Sequence, residues 1–445
     1  MAGSLITIGR SGALAARAAL ELTGQNIANA GNANYTHRTL GLAEVAATSS
    51  VVLGDAAALG GVRASGVQRG ETLFLGSEVR RTGTNEARAV AELAGLLSAE
   101  SAIEQAGVYP ATTDFEASLG RLASDPLNNA LRTDTLETAR ALTRTFGIAI
   151  AGLNASADSV RGAALEGVAE INRLAAELTR TNAGLARVQD GSAGKAVLLD
   201  RRDALLASLA GQAQIATEFD ASGRVGVRLG GPGGPGLVAG AASATMTVAQ
   251  NADGGLAFAV DGAAVTLGGG ALAGQAQALD QLGVVASQLD AIAAMLIDYG
   301  NTAQANGITP AGTAGAALFA GSDARTIALA DIDVAGLATA PAGSGINSRN
   351  TGNLDALRTA LNDNGPAAGA DRLLASLSSA IAARSLTRDV LTDLADAARS
   401  AMQAETGVDL DAEAANLLRF QQAFQANGKV IQAATEIFDT MLGIG

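Results

Sequence analysis

The chain has 445 residues, a single histidine, His37, and no cysteine. Any nucleophilic device built on imidazole must therefore run through His37. That residue sits between Thr36 and Arg38 in a polar stretch and reads as a surface histidine. Paired carboxylates are another route to acid–base work. The set Asp409, Asp411 and Glu413 lies at the start of a helical pattern, where negative side chains more simply complement the positive end of the helix dipole. Gly191-Ser192-Ala193-Gly194-Lys195 has the look of a phosphate loop. Its spacing is wrong, and Ala196 stands where a magnesium-holding Ser or Thr belongs. The Gly/Pro run from Gly230 to Gly236 has no helix signal after it, so it is not a dinucleotide fingerprint. Asp323, Asp331 and Asp333 lack the spacing and closing Glu of a calcium loop. The sequence predicts no catalytic residue, no cofactor and no metal site, hence a chain that is not an enzyme.

The elements that carry these residues are mostly helical. An amphipathic helix is predicted over 4–30, ending in the turn-rich stretch from Asn29 to Tyr35. Residues 40–75 read as irregular or short-stranded, punctuated by glycine. Apolar residues at i, i+3 and i+4 predict helices over 84–106, 127–187 and 195–211, with Ile171, Leu174, Leu178 and Leu185 on one face. Asp114 and Asp125-Pro126 read as helix starts. Period-two runs between 215 and 268 predict a small antiparallel β insertion. Helix returns at 272–305. A strand pair is expected at Thr326–Ala330 and Asp333–Ala338, then a long helix over 366–406 and a terminal helix from Asp409 or Asp411 to about Leu442. The fold class is mainly α with a small β insertion. Three domains are expected: 1–40 with 405–445, 41–214 with 272–404, and 215–271.

Composition sets limits on partners. Apolar residues make up 48% of the chain, largely Ala, and aromatics only 3%. Each Ala buries little surface, so long thin bundles are expected. The formal net charge of −13 argues against nucleic acid, which needs clustered Lys and Arg, and against an anionic membrane surface. No apolar run reads as a membrane span. Arg10, Arg17 and Glu21 interrupt the N-terminal helix, so a cleaved signal peptide is not expected.

The two ends carry matching stripes. Leu410, Leu417, Phe424, Ile431 and Phe438 recur at seven-residue spacing, as do Ile6, Ala13, Leu20 and Ile27. Such repeats keep one seam of a helix against a partner. The second seam position of the C-terminal helix holds Glu413, Phe420, Asn427, Ala434 and Met441. Its polar members argue against a seam closed within one chain and for packing between subunits.

The C-terminal run from Gly407 to Ala426, with Leu417-Leu418-Arg419-Phe420-Gln421-Gln422-Ala423-Phe424 at its centre, closely resembles the flagellar hook-associated protein 1 family. Lys429-Val430-Ile431-Gln432 and Glu436-Ile437-Phe438-Asp439-Thr440-Met441-Leu442 fit the same family. Ser11-Gly12-Ala13-Leu14-Ala15-Ala16 and Asn26-Ile27-Ala28-Asn29 are similar to the signature of flagellar rod, hook and junction proteins. Ser65-Gly66-Val67-Gln68-Arg69 and the run Leu198 to Leu206 match as well. The family's Pro-Gly-Tyr turn is absent; Asn34 and Tyr35 follow Ala33 here.

The resemblance implies a structural subunit at the junction of hook and filament, assembled as a homo-oligomeric ring. It implies paired terminal coiled-coil helices in an inner tube and an outward antiparallel β domain. Export through the flagellar type III channel without a cleaved signal would place the protein outside the cell. Implied partners are the hook protein, the second hook–filament junction protein and a cytosolic export chaperone at the C-terminal helix. Nucleic acid and membrane are not among them. Residues expected at the assembly interface are Ile6, Ala13, Leu20, Asn26, Ile27, Asn29, Tyr35, Leu410, Leu417, Phe420, Phe424, Ile431, Phe438 and Leu442. Three other readings differ in what they predict: another axial protein such as a hook or distal rod subunit, a scaffold carrying an inserted hydrolase, and a coiled-coil adaptor retained in the cell.

Overall fold

The computed structural model describes residues 2–45, 60–70 and 72–442. Among these the chain runs α1 (Ala2–Asn29), β1 (Arg38–Glu44), β2 (Val62–Arg69), α2 (Leu73–Ala106), α3 (Val108–Ser124), α4 (Asn129–Leu185) and α5 (Ala193–Gln212). Seven strands follow: β3 (Ile215–Phe219), β4 (Val225–Leu229), β5 (Gly236–Ala239), β6 (Ala242–Ser243), β7 (Met246–Gln250), β8 (Leu256–Val260) and β9 (Ala263–Val265). Then come α6 (Ala271–Asn306), β10 (Gly307–Ile308), β11 (Phe319–Ala320), β12 (Ala328–Leu329) and β13 (Ala340–Pro341). Helices α7 (Gly352–Asn364), α8 (Pro366–Thr406) and α9 (Leu410–Leu442) complete it. The fold is mainly α with small antiparallel sheets. It divides into two units: Met1–Thr84, Glu170–Met246 and Thr392–Gly445 form the first, Asn85–Ala169 and Thr247–Leu391 the second.

In the first unit α1 packs along α9. Gly9 lies against Ile431, whereas the C-terminal part of α1, with Leu22 and Asn26, lines one hollow with Glu413 and Phe420. The two helices are therefore antiparallel. The contact is close because its residues are small. A Cβ added at Gly12 would come within 2.3 Å of Asn427 Oδ1. Gly9, Ala16, Ala19, Thr23 and Asn26 continue the buried face, a three-four alternation that closes a coiled-coil seam. The hairpin β1–β2 follows, with a register shift after Gly41. Gly66 in β2 has φ 137° and meets Gly191, which has φ 71°. A Cβ at Gly66 would sit 2.8 Å from the Gly191 carbonyl oxygen, so side chains are excluded on both counts.

The rest of this unit is a sheet laid on helix. Ile171, Leu174, Leu178 and Leu185 of α4 are all buried, as their spacing predicts. The sheet order is β3-β4-β5-β6, and Val225, Val227 and Leu229 of β4 alternate into the core. Val225 pairs with Phe219 of β3, while β5 reaches only Val227 and Arg228. Asn182 of α4 occupies the place left open at Val225: its Nδ2 donates to the Val225 carbonyl at 2.9 Å and its Oδ1 accepts from the Val225 N–H at 3.0 Å. The Gly191–Lys195 run is a helix start, with Ser192 Oγ accepting from the Lys195 N–H at 3.1 Å.

The second unit is a helical bundle around one apolar core. Phe115 of α3 and Phe319 of β11 meet edge-on at 6.0 Å, among Leu96, Leu142, Phe146, Leu289, Leu296 and Leu357. Helix α6 is, by length and composition, apolar enough to cross a membrane, which the sequence reading does not anticipate. Leu272, Leu279, Leu282, Leu289, Ile292 and Leu296 of that helix are buried within this unit.

Several local expectations need correction. Asp114 lies inside α3, which starts at Val108 after a left-handed Gly107. Asn128, not Asp125, caps α4: its Oδ1 accepts from the Ala130 N–H at 2.9 Å. The strand at Ala328–Leu329 pairs with Phe319–Ala320 rather than with 333–338. The strands between 215 and 265 form two sheets, one of four strands and one of three, β7-β8-β9.

Candidate functional site

The motif segments of the sequence converge in the first unit. At the end of α1, Asn26 is buried and reads the turn that follows. Its Nδ2 donates to the Arg38 carbonyl at 2.9 Å, and its Oδ1 accepts from the Tyr35 hydroxyl at 2.8 Å and from the Arg38 N–H at 3.3 Å. Tyr35 lies under the Arg38 guanidinium, 4.5 Å from the ring centroid. Burial pushes the Tyr35 pKa up, only partly offset by the charge of Arg38.

Arg38 then reaches α5. Its Nη2 meets Asp200 at 2.6 Å, while Arg69 of β2 meets the other Asp200 oxygen at 2.7 Å and Asp203 at 2.6 Å. Arg69 also donates to Thr36 Oγ1 at 3.1 Å. Burial alone lowers the pKa of Arg69, but the charges of Asp203 and Asp200 outweigh it and the pKa rises. Arg202 bonds Asp203 at 2.8 Å and the Gly223 carbonyl at 2.7 Å, and stacks 4.8 Å from the Phe219 ring centroid. The turn after α1, the β2 strand and helix α5 are thereby tied by charge-assisted bonds in a desolvated place.

The chain's other end joins the same knot. The His37 N–H of the backbone donates to the Thr406 carbonyl at 2.8 Å. His37 Nε2 lies 2.9 Å from Glu413 Oε1, and the Glu413 side chain is only 3% exposed. His37 is therefore not a free surface histidine but the partner of a buried carboxylate. Glu413 Oε2 and Arg38 Nε are buried without a hydrogen-bond partner.

The polar second seam position faces inward. Glu413 and Ala434 are buried, and Phe420 and Asn427 are half-buried, on the side of α9 that meets α1. The seam is thus closed within one chain despite its polar members, contrary to the expectation that these would favour packing between subunits. Glu413 is accommodated by His37 and Asn427 by the bare backbone of Gly12, so polarity at the seam finds partners inside the same chain. The first stripe is displaced toward solvent. Leu410, Phe424 and Phe438 are exposed, with Leu417 and Ile431 half-buried at the margin. Ile6, Ala13, Leu20 and Ile27 likewise flank the α1 seam, half-buried. Asn29 donates to the Gln25 carbonyl at 2.8 Å. The Leu442 side chain lies outside the described residues. Sequence reasoning missed Thr36, Arg38, Arg69, Asp200 and Asp203 as a cluster; the signal was two acids and two arginines within the apolar helix run Leu198–Leu206.

The arrangement holds the two ends of the chain together and presents a row of large apolar side chains on α9. The model of the flagellar hook-associated protein FlgK helical domain matches residues 90–319, just over half of the chain. The chain belongs to the FlgK family. A second model, the C-terminal region of the flagellar basal body rod FlgEFG proteins, matches residues 399–444, which hold α9. Flagellar hook-associated protein 1 of Escherichia coli K12 is 29% identical over 211 residues, covering 46% of this chain and 38% of that protein. The Salmonella typhimurium protein of the same name is 30% identical over 215 residues, covering 46% and 37%. The match thus spans little more than a third of these relatives' length. The flagellar hook junction protein FlgK from Burkholderia pseudomallei aligns at a TM-score of 0.48 with 22% identity, over 54% of this chain and 46% of that one.

Proposed function

We propose that this FlgK-family chain is a structural, non-enzymatic subunit that joins hook to filament in the bacterial flagellum. Its terminal helices assemble with those of other copies into a ring or short tube. One observation carries this reading. The small-residue seam between α1 and α9 takes up Glu413, Phe420, Asn427 and Ala434 and leaves Leu410, Phe424 and Phe438, at fourteen-residue spacing, exposed as one stripe of the same helix. A row of large apolar side chains on one helix is a surface that waits for a neighbour. Ile6, Ala13, Leu20 and Ile27 border it on α1, and Asn26, Asn29 and Tyr35 hold the end of that helix in place. In this reading the terminal pair forms the inner layer of that ring or tube.

The reading carries further expectations. The subunit leaves the cell through the flagellar export channel without loss of its N-terminus and works outside the cell. Its neighbours are the hook protein, a second junction protein and, before export, a cytosolic chaperone on the C-terminal helix. The α9 region alone fits rod and hook subunits too, since that is the region the rod model matches; the helical-domain match at 90–319 favours the junction. The test is complementation of a strain lacking its own junction protein, with Phe424→Asp beside the wild-type chain. Wild-type subunits are expected in sheared flagella at the hook–filament boundary, and Phe424→Asp subunits are expected to fold yet be absent from it. Normal junctions built from Phe424→Asp subunits would refute the reading.

A further inference from the structure

Beside the arginine–aspartate knot, within the first unit, lies a hollow of about 350 Å³. Leu73, Val79, Ala207, Phe219, Met402 and Val408 make its apolar walls. Among the described residues its charged lining is Arg69, Arg80, Arg202 and Arg399 against Asp200 and Asp203. The hollow is thus cationic in a chain whose formal charge is −13. Asp200 and Asp203 are already held by Arg38, Arg69 and Arg202.

Arg80 is left over. Among the described residues its guanidinium has no hydrogen-bond or ion-pair partner, and burial lowers its pKa, with Asp203 pulling it back up and Arg202 pressing it further down. A guanidinium does not shed its proton in a protein, so it remains a partly desolvated cation with Asp203 near it and no carboxylate at ion-pair distance among the described residues. The group that relieves it is a carboxylate, whose two oxygens match the guanidinium fork. The apolar walls ask for an apolar group next to that acid. This chain displays such pairs on its own surface: Asp411 beside Leu410 and Asp439 beside Phe438, all exposed.

We propose that the hollow at Arg80 receives an acidic side chain, together with its apolar neighbour, from a second copy of this chain. The inference rests on the reading of the chain as self-assembling and adds a polar lock to the apolar contact of α9. The chain's lysines are only Lys195 and Lys429, which makes a direct test clean. Arg80→Lys keeps the charge and supplies an amine that a water-soluble carbodiimide couples to a carboxylate in contact with it. Subunits labelled with ¹⁴N and ¹⁵N are mixed, assembled, coupled and digested.

The expected product is a mixed-isotope peptide pair joining position 80 to an Asp or Glu of another copy. Arg80→Glu, shown by circular dichroism to be folded, is expected to raise the concentration needed for assembly about tenfold, since a carboxylate there repels the incoming one. Assembly without any inter-copy link at position 80, with Arg80→Glu assembling as the wild type does, would overturn the inference and leave the assembly reading standing. If the folded wild-type chain does not self-assemble at all, that reading fails and the second-copy occupant fails with it.

Discussion

In the second unit the large buried side chains are mainly phenylalanine and leucine: Phe115, Phe146, Phe319, Leu119, Leu122 and Leu142 are nearly inaccessible. In the first unit the terminal helices meet through glycine, alanine, threonine and asparagine, and the turn beside them is fixed by Arg38, Arg69, Asp200 and Asp203. Dispersion and the hydrophobic effect reward any close-packed apolar surface. Charge-assisted hydrogen bonds reward one geometry. The bundle can therefore gain stability from bulk, whereas the helix pair gains it from placement. Its large apolar residues stay outside, where the proposed function needs them.

Breaking each region separately tests that contrast. The largest loss is expected at Asp200. Asp200→Ala leaves Arg38 and Arg69 buried without their shared carboxylate, a loss of about 3–5 kcal/mol by the behaviour of broken buried pairs. Urea unfolding followed by a probe in the first unit measures it; a loss below about 1 kcal/mol would show that the knot is not what fixes this unit. Phe146→Ala in the second unit is expected to lose a similar amount, about 3–5 kcal/mol, through a cavity rather than a stranded charge. Added salt should leave its effect unchanged.

Gly12→Ala tests placement directly. The new Cβ collides with the Asn427 amide, and an overpacked contact of this kind destabilises by about 1–3 kcal/mol. Asn427→Ala in the same chain should recover most of it, and two changes that simply add would deny the close contact. Phe424→Asp is expected to change monomer stability by no more than about 0.5 kcal/mol, as an exposed position should, while abolishing assembly. A large fall in monomer stability would mean that Phe424 serves the chain's own core.

The smallest effect concerns pH. The Ser222 hydroxyl, then the side chain and backbone of Arg224, hold the Asp220 pKa at about 2, below its ordinary 3.8. A lowered folded-state pKa contributes stability above the unfolded value and loses it as pH falls. The β3–β4 turn should therefore loosen between pH 4 and about 2, visible as a carboxyl titration by NMR. A midpoint near the ordinary value would remove the turn's contribution.

Periodicity made the helices legible because a helix repeats its environment every turn. Ile171, Leu174, Leu178 and Leu185 could be placed from spacing alone, as could the antiparallel strands from Val225 onward. The pairing of the chain's ends was legible too, but not which face pairs. The eye follows large apolar residues, and Leu410, Phe424 and Phe438 made the visible stripe. The buried stripe is built from residues that look uninformative, since close approach needs small side chains rather than greasy ones. The knot escaped for a different reason. Arg38, Asp200 and Glu413 are far apart in sequence, and a charged residue has no period to betray its burial. His37 could not be told from a surface histidine until Glu413 lay beside it.

Asn182 offers a last consequence. By giving and taking one hydrogen bond each with Val225, its side chain does for β4 what a further strand would do. An open edge is a template on which another chain can be added, and identical proteins crowded together are most exposed to that fate. The amide of a helix thus serves as a stopper. It satisfies the one stretch of β4 that β5 leaves unpaired, so that this gap in the sheet offers no free backbone to an incoming strand.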